Sequence, residues 1–132
     1  MKRFGVLAAV FAVATLIGAT STRASRPLNA PTITLASYSV DPDETVPGTF
    51  DVTATVTWDR IPNVRLWEPC SAVGSERPQC DFISQKTLTS YDFHVNSLSS
   101  GDTAEFFVYA CYVSGSSSYA CISSNPVSVT VP

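Results

Sequence analysis

The segment Phe50 to Trp58, "FDVTATVTW", alternates strictly between apolar and polar side chains. Phe50, Val52, Ala54, Val56 and Trp58 fall on one side, and Asp51, Thr53, Thr55 and Thr57 on the other. A period of two with one apolar face is the signature of a half-buried β-strand, because successive side chains of an extended chain point to opposite faces. "SYDFHVNSL" (Ser90 to Leu98) repeats the pattern, with Tyr91, Phe93 and Val95 against Asp92, His94 and Asn96. "TITLASYSV" from Thr32 is rich in β-formers, "AEFFVYACYV" from Ala104 is an almost continuous apolar and aromatic run, and "NPVSVTV" from Asn125 alternates again. Turn chemistry separates them, most clearly "DPDETVPGT" from Asp41 to Thr49. No segment sustains a 3.6-residue period. The expected fold is all-β: a single antiparallel sandwich of about seven strands.

The 132 residues suffice for one domain. Lys2 and Arg3 precede an apolar run from Val6 to Ala19, and Thr22 and Ala24 supply a small-residue cleavage pattern. Residues 1–24 therefore read as a secretory signal peptide, with Ala19 as a second possible cleavage point. The run is short for a span of ~20 residues, so no stable membrane insertion is expected after cleavage. Residues 25–31 form a short lead-in, and 32–132 the sandwich. After cleavage at Ala24 five cations remain (Arg26, Arg60, Arg65, Arg77 and Lys86) against eleven acids, a net charge of −6. Such a chain lacks the basic footprint of a nucleic-acid binder.

Four cysteines form two sets of identical spacing, Cys70 with Cys80 and Cys111 with Cys121. An even number in an exported chain implies disulfides, in one of three connectivities. Zinc ligation would call for closely spaced C-x-x-C pairs, and none occurs; His94 is the sole histidine. No metal or other cofactor is expected.

The chain also resembles a fibronectin type III domain from about Pro31 to Pro132. Trp58 with the following "DRIP" is similar to that family's strand B, "LSSGDTA" (Leu98 to Ala104) to its E–F region, "VYAC" to its strand F and "SSNPVSVTV" to its last strand. Ala104 departs from the pattern, standing where the family carries a corner tyrosine. The resemblance implies that Cys70 ends strand C, that Cys80 begins C′, and that Cys111 and Cys121 flank the F–G loop at the other end. It thereby implies the pairs Cys70–Cys80 and Cys111–Cys121, each stapling one hairpin.

Catalytic constellations are weak. Asp92, His94 and Asn96 alternate on one strand face, and no G-x-S-x-G elbow accompanies them. Asp41, Asp43, Glu44 and Asp51 lack the spacing of a calcium loop and read as a solvated turn. Glu68 and Glu76 show no sign of a shared cleft. Binding is the better expectation. "YVSGSSSYA" (Tyr112 to Ala120) has the Ser, Gly and Tyr content of adaptable binding loops. Ser114, Gly115, Ser116, Ser117, Ser118 and Tyr119 are the candidate binding residues, with Tyr119 as anchor, whereas Tyr112 points inward by alternation with Phe106, Val108 and Ala110. Phe107, Tyr109 and Trp67 form a second candidate, an outer aromatic patch. The expected function is a secreted, non-catalytic module presenting stapled loops to an extracellular protein or glycan. The alternatives are an inhibitor or effector of an extracellular enzyme and a structural component that self-associates through sheet edges.

Overall fold

The alternating segment Phe50–Trp58 forms strand β2, and its apolar side chains enter the core: Val52, Ala54 and Val56 are fully buried and Trp58 nearly so. The computed structural model describes residues 28–132; the expected signal peptide and Ser25 to Pro27 of the lead-in lie outside them. The other strands are β1 (Ile33–Pro42), β3 (Leu66–Val73), β4 (Gln79–Cys80), β5 (Ser90–Leu98), β6 (Thr103–Ser114), β7 (Ser118–Ser123) and β8 (Val127–Thr130). Among the described residues there is no helix.

Two antiparallel sheets enclose one core. The first has the order β1-β2-β5. The second has the order β4-β3-β6-β7, with β8 also paired to β6. Strands β7 and β8 pair with successive stretches of β6, Tyr109–Ser114 and Thr103–Phe106, so together they make one last strand broken at a kink. Counted so, the sandwich has the expected seven strands.

The kink is built from Ser124, Asn125 and Pro126. Ser124 is buried, and its hydroxyl accepts from the Val108 N–H (2.9 Å) and donates to the Asn125 carbonyl (2.7 Å). The Asn125 amide then imitates a strand backbone. Its Oδ1 accepts from the Ile33 N–H at 2.9 Å and its Nδ2 donates to the Ile33 carbonyl at 3.0 Å. This two-point bond ties the second sheet to the start of β1, across a sheet edge that would otherwise be open.

Trp67 corrects one expectation. It is fully buried rather than part of an outer patch, and its ring packs against Trp58 with centroids 5.2 Å apart. The reason is register: Trp67 pairs with Ala110, an inward residue, whereas Phe107 and Tyr109 pair with Cys70 and Glu68. Both indole Nε1 groups are buried without a hydrogen-bond partner among the described residues. Tyr112 is half-buried and packs on the core, as alternation suggested.

Both expected disulfides are present, Cys70–Cys80 and Cys111–Cys121. Each joins residues directly opposite in the sheet register, with Cα atoms 4.1 and 4.0 Å apart. Cys70 sits within β3 rather than at its end, because the strand continues to Val73 and the turn proper is only Gly74 to Pro78.

The turn from Asp43 to Thr49 is also more ordered than a solvated acidic turn. Asp43 is buried, and its carboxylate accepts from the Thr45 N–H (2.7 Å), the Thr45 hydroxyl (2.6 Å), the Val46 N–H (3.1 Å) and the Ser97 hydroxyl (2.8 Å). Ser97 has a left-handed φ of 60° at a bulge where β5 slips past β2. Its N–H is received by Asp51 at 3.2 Å. Two carboxylates thus hold a backbone conformation that serine adopts reluctantly. The corner after Leu98 lacks a tyrosine hydroxyl and is held by Asp102, which accepts from the Ser99 N–H at 2.8 Å, and by backbone bonds from Gly101 to Val131 and from Val131 to Asp102.

Candidate binding site at the loop end of the sandwich

Strand β6 runs on past the sheet core and returns as β7, so the last pairs of the hairpin are Val113 with Tyr119 and Ser114 with Ser118. Gly115 has a φ of 77°, a conformation suited to glycine at the first position of a tight hairpin turn. Ser118 donates its hydroxyl to the Ser114 carbonyl across the turn. All six candidate residues, Ser114 through Tyr119, lie together at this tip and are exposed. Tyr119 and Val113 each retain 56 % of their accessible surface, a high value for apolar side chains. The Cys111–Cys121 staple closes the base of the tip.

The segment joining β2 to β3 lies at the same end. Val64 is buried and Ile61 packs on the core, which pins the loop at two points. The Arg65 N–H donates to the Cys111 carbonyl at 2.9 Å, fastening the loop beside the staple. Asn63 adopts a left-handed φ of 67°, which asparagine tolerates better than most residues. The lead-in runs alongside: the Tyr112 hydroxyl donates to the Asn29 carbonyl at 2.8 Å. Burial raises the pKa of that phenol, keeping it a donor.

Between the two loops lies an open groove of about 1140 Å³. Its floor and walls include Ile61, Val64 and Tyr112; Arg60, Arg65 and Lys86 also line it. These three cations were not among the sequence candidates. In the sequence they look scattered, and only the chain path brings Lys86, from the stretch before β5, beside the two arginines. One signal was available: in a sandwich of this kind the loops after the second and sixth strands share an end.

The outer face of the second sheet carries what remains of the aromatic patch. Phe107 and Tyr109 are half-buried and meet edge to face at 5.6 Å. Phe107 pairs with Cys70, and Tyr109 lies two residues before Cys111 on β6. Glu68 stands on this face with Oε1 3.7 Å from Cys111 Sγ. The grouping of Glu68 with Cys111 and Cys121 offers no thiolate to a metal, since both sulfurs are bonded to each other. Glu76 is exposed in the turn beyond β3, whereas Glu68 is half-buried within the strand.

On the first sheet, Asp92 and His94 are exposed, and each bonds a threonine of β2. The Thr55 hydroxyl donates to Asp92 at 2.7 Å, and His94 Nδ1 lies 3.1 Å from the Thr53 hydroxyl. Cross-strand threonine partners occupy both side chains. Two disulfides are the bonding expected of a protein in an oxidising, extracellular compartment. No helix among the described residues is long and apolar enough to cross a membrane. No protein-family model matches the chain, and no curated protein matches it.

Proposed function

We propose that this chain is a small secreted binding module, without catalysis, that captures an extracellular partner at the loop end of a fibronectin type III-like sandwich. One observation carries the reading. A covalently stapled hairpin holds exposed Tyr119 and Val113 beside an open groove, on a scaffold whose remaining strands are packed and paired. A loop fixed at its base loses less conformational freedom on binding than a free one. Tyrosine offers large contact area with few rotatable bonds. The sheet orders support the resemblance, since β4 pairs with β3 as strand C′ should pair with C. Export is supported by the leader-like start of the sequence and by the disulfides.

The test is capture from the native extracellular milieu. The disulfide-intact protein and a variant with Ser116, Ser117, Ser118 and Tyr119 replaced by alanine are immobilised in parallel, after circular dichroism confirms that both fold. The reading expects a partner held by the parent and lost or much weakened with the variant. Equal capture by the two would move the site elsewhere, with the Phe107–Tyr109 face as the next place to look.

A further inference from the structure

Charge is distributed unevenly over this surface. Residues 28–132 contain four cations, Arg60, Arg65, Arg77 and Lys86, and three of them line the groove. The same span holds all eleven acids of the chain, and none lines the groove. Asp59 opens instead onto an adjoining shallow depression that shares Arg60, Ile61 and Pro62. A concave site lined by one sign of charge, on a protein whose net charge has the opposite sign, concentrates field lines and draws in ligands complementary to the site. The three side chains are exposed, so they remain solvated and mobile enough to pair with an incoming anion.

Resting on the loop-end reading above, we propose that the groove binds an acidic peptide segment of the partner protein, with carboxylates on Arg60, Arg65 and Lys86 and apolar side chains against Ile61 and Val113. The lining chemistry selects this occupant among anions. Exposed cations and apolar side chains share the lining, which suits a chain that carries both acids and aliphatics. An anionic polysaccharide is hydrophilic along its whole length and leaves the apolar part of the lining, Ile61 and Val113, without a counterpart. A nucleic acid would call for a broad basic stripe, and the surface outside the groove is acidic. Size is compatible: the groove volume of about 1140 Å³ lies just above the roughly 300–1,000 Å³ usual for small-molecule pockets.

The experiment pans a random peptide display library on the folded, disulfide-intact protein, then measures soluble binding of the enriched peptides. Enrichment of Asp and Glu interleaved with aliphatic residues is expected. Replacing the acids of an enriched peptide by their amides should abolish binding. The triple variant Arg60→Gln, Arg65→Gln, Lys86→Gln should weaken it at least about tenfold, and Arg77→Gln should leave it unchanged. Added salt should weaken binding to the parent, because exposed ion pairs are screened. Absence of acidic enrichment, equal binding of the amide peptides, or tighter binding of polygalacturonate or heparin would each overturn the proposal. Capture of the native partner separates the two levels. If the triple variant captures normally while the hairpin variant does not, the acidic-peptide inference fails alone. If neither change affects capture, the loop-end site itself is wrong.

Discussion

The two disulfides offer a controlled comparison, because they close loops of the same length. Each spans a sequence separation of 10. On the chain-entropy account, a loop of that size stabilises the fold by about 2.7 kcal/mol at 25 °C, whichever disulfide closes it. Their surroundings are very different. The β6–β7 hairpin has six register pairs, so its strands stay aligned without the covalent link. Strand β4 has only two, Cys70 with Cys80 and Ser71 with Gln79. Beyond it, Asp81 donates to the Pro69 carbonyl, and Ile83 exchanges two backbone bonds of 2.9 Å with Trp67. Cys70→Ala/Cys80→Ala and Cys111→Ala/Cys121→Ala should therefore lower Tm by similar amounts, about 10–20 °C for a domain of this size. Amide exchange should differ between them. Loss of Cys70–Cys80 should expose the Asp81 and Ile83 amides to local opening, while loss of Cys111–Cys121 should leave the Ala110 to Val113 amides protected. Stability losses that differ by more than about 1 kcal/mol, or unchanged exchange at Asp81 and Ile83, would contradict this separation of a shared unfolded-state effect from a local native one.

Trp67→Ala should cost about 3–5 kcal/mol by denaturant unfolding, and Trp67→Phe much less, since it also removes a buried N–H that has no partner. The hydrogen bonds from Thr45, Ser97 and Val46 hold the Asp43 carboxyl well below its usual pKa. A depressed carboxyl pKa adds stability that is complete above the unfolded value, about pH 4, and is lost as pH falls below it. Asp43→Asn should accordingly be less stable than the parent at neutral pH, with the gap in Tm closing as the solution is acidified. Tyr91 is the converse case: burial first, then its hydrogen bond to Asp81, pushes the phenol up to about 12. That contribution is full below the unfolded value near 10 and is lost as pH rises through 12. Tyr91→Phe keeps the ring contact with Phe93 and should flatten the alkaline limb of a pH–stability curve.

The strands that bury one face were legible because their polarity alternates without interruption, as in Phe50 to Trp58. Strand β3 was less so. In "LWEPCSAV" neither face is polar throughout, and Cys70 is fully buried although it lies on the face opposite Trp67. Alternation could not say which side Trp67 takes; its pairing with Ala110 decides that. The links made by Asn125 to Ile33 and by Asp43 to Ser97 join residues far apart in the chain, and no local pattern announces them. Composition did single out the Ser114–Tyr119 tip, since serine, glycine and tyrosine cluster there. The groove cations escaped notice because their convergence is a property of topology, with Arg60 and Arg65 in one connection and Lys86 in another.

The most direct measurement is an amide hydrogen-exchange footprint of the intact chain, free and bound to the partner recovered from the extracellular milieu. Binding at the loop end predicts new protection across Asp59 to Arg65 and Val113 to Ala120, with exchange elsewhere unchanged. Protection confined to the Phe107–Tyr109 face, or to the free edge of β1, would contradict it.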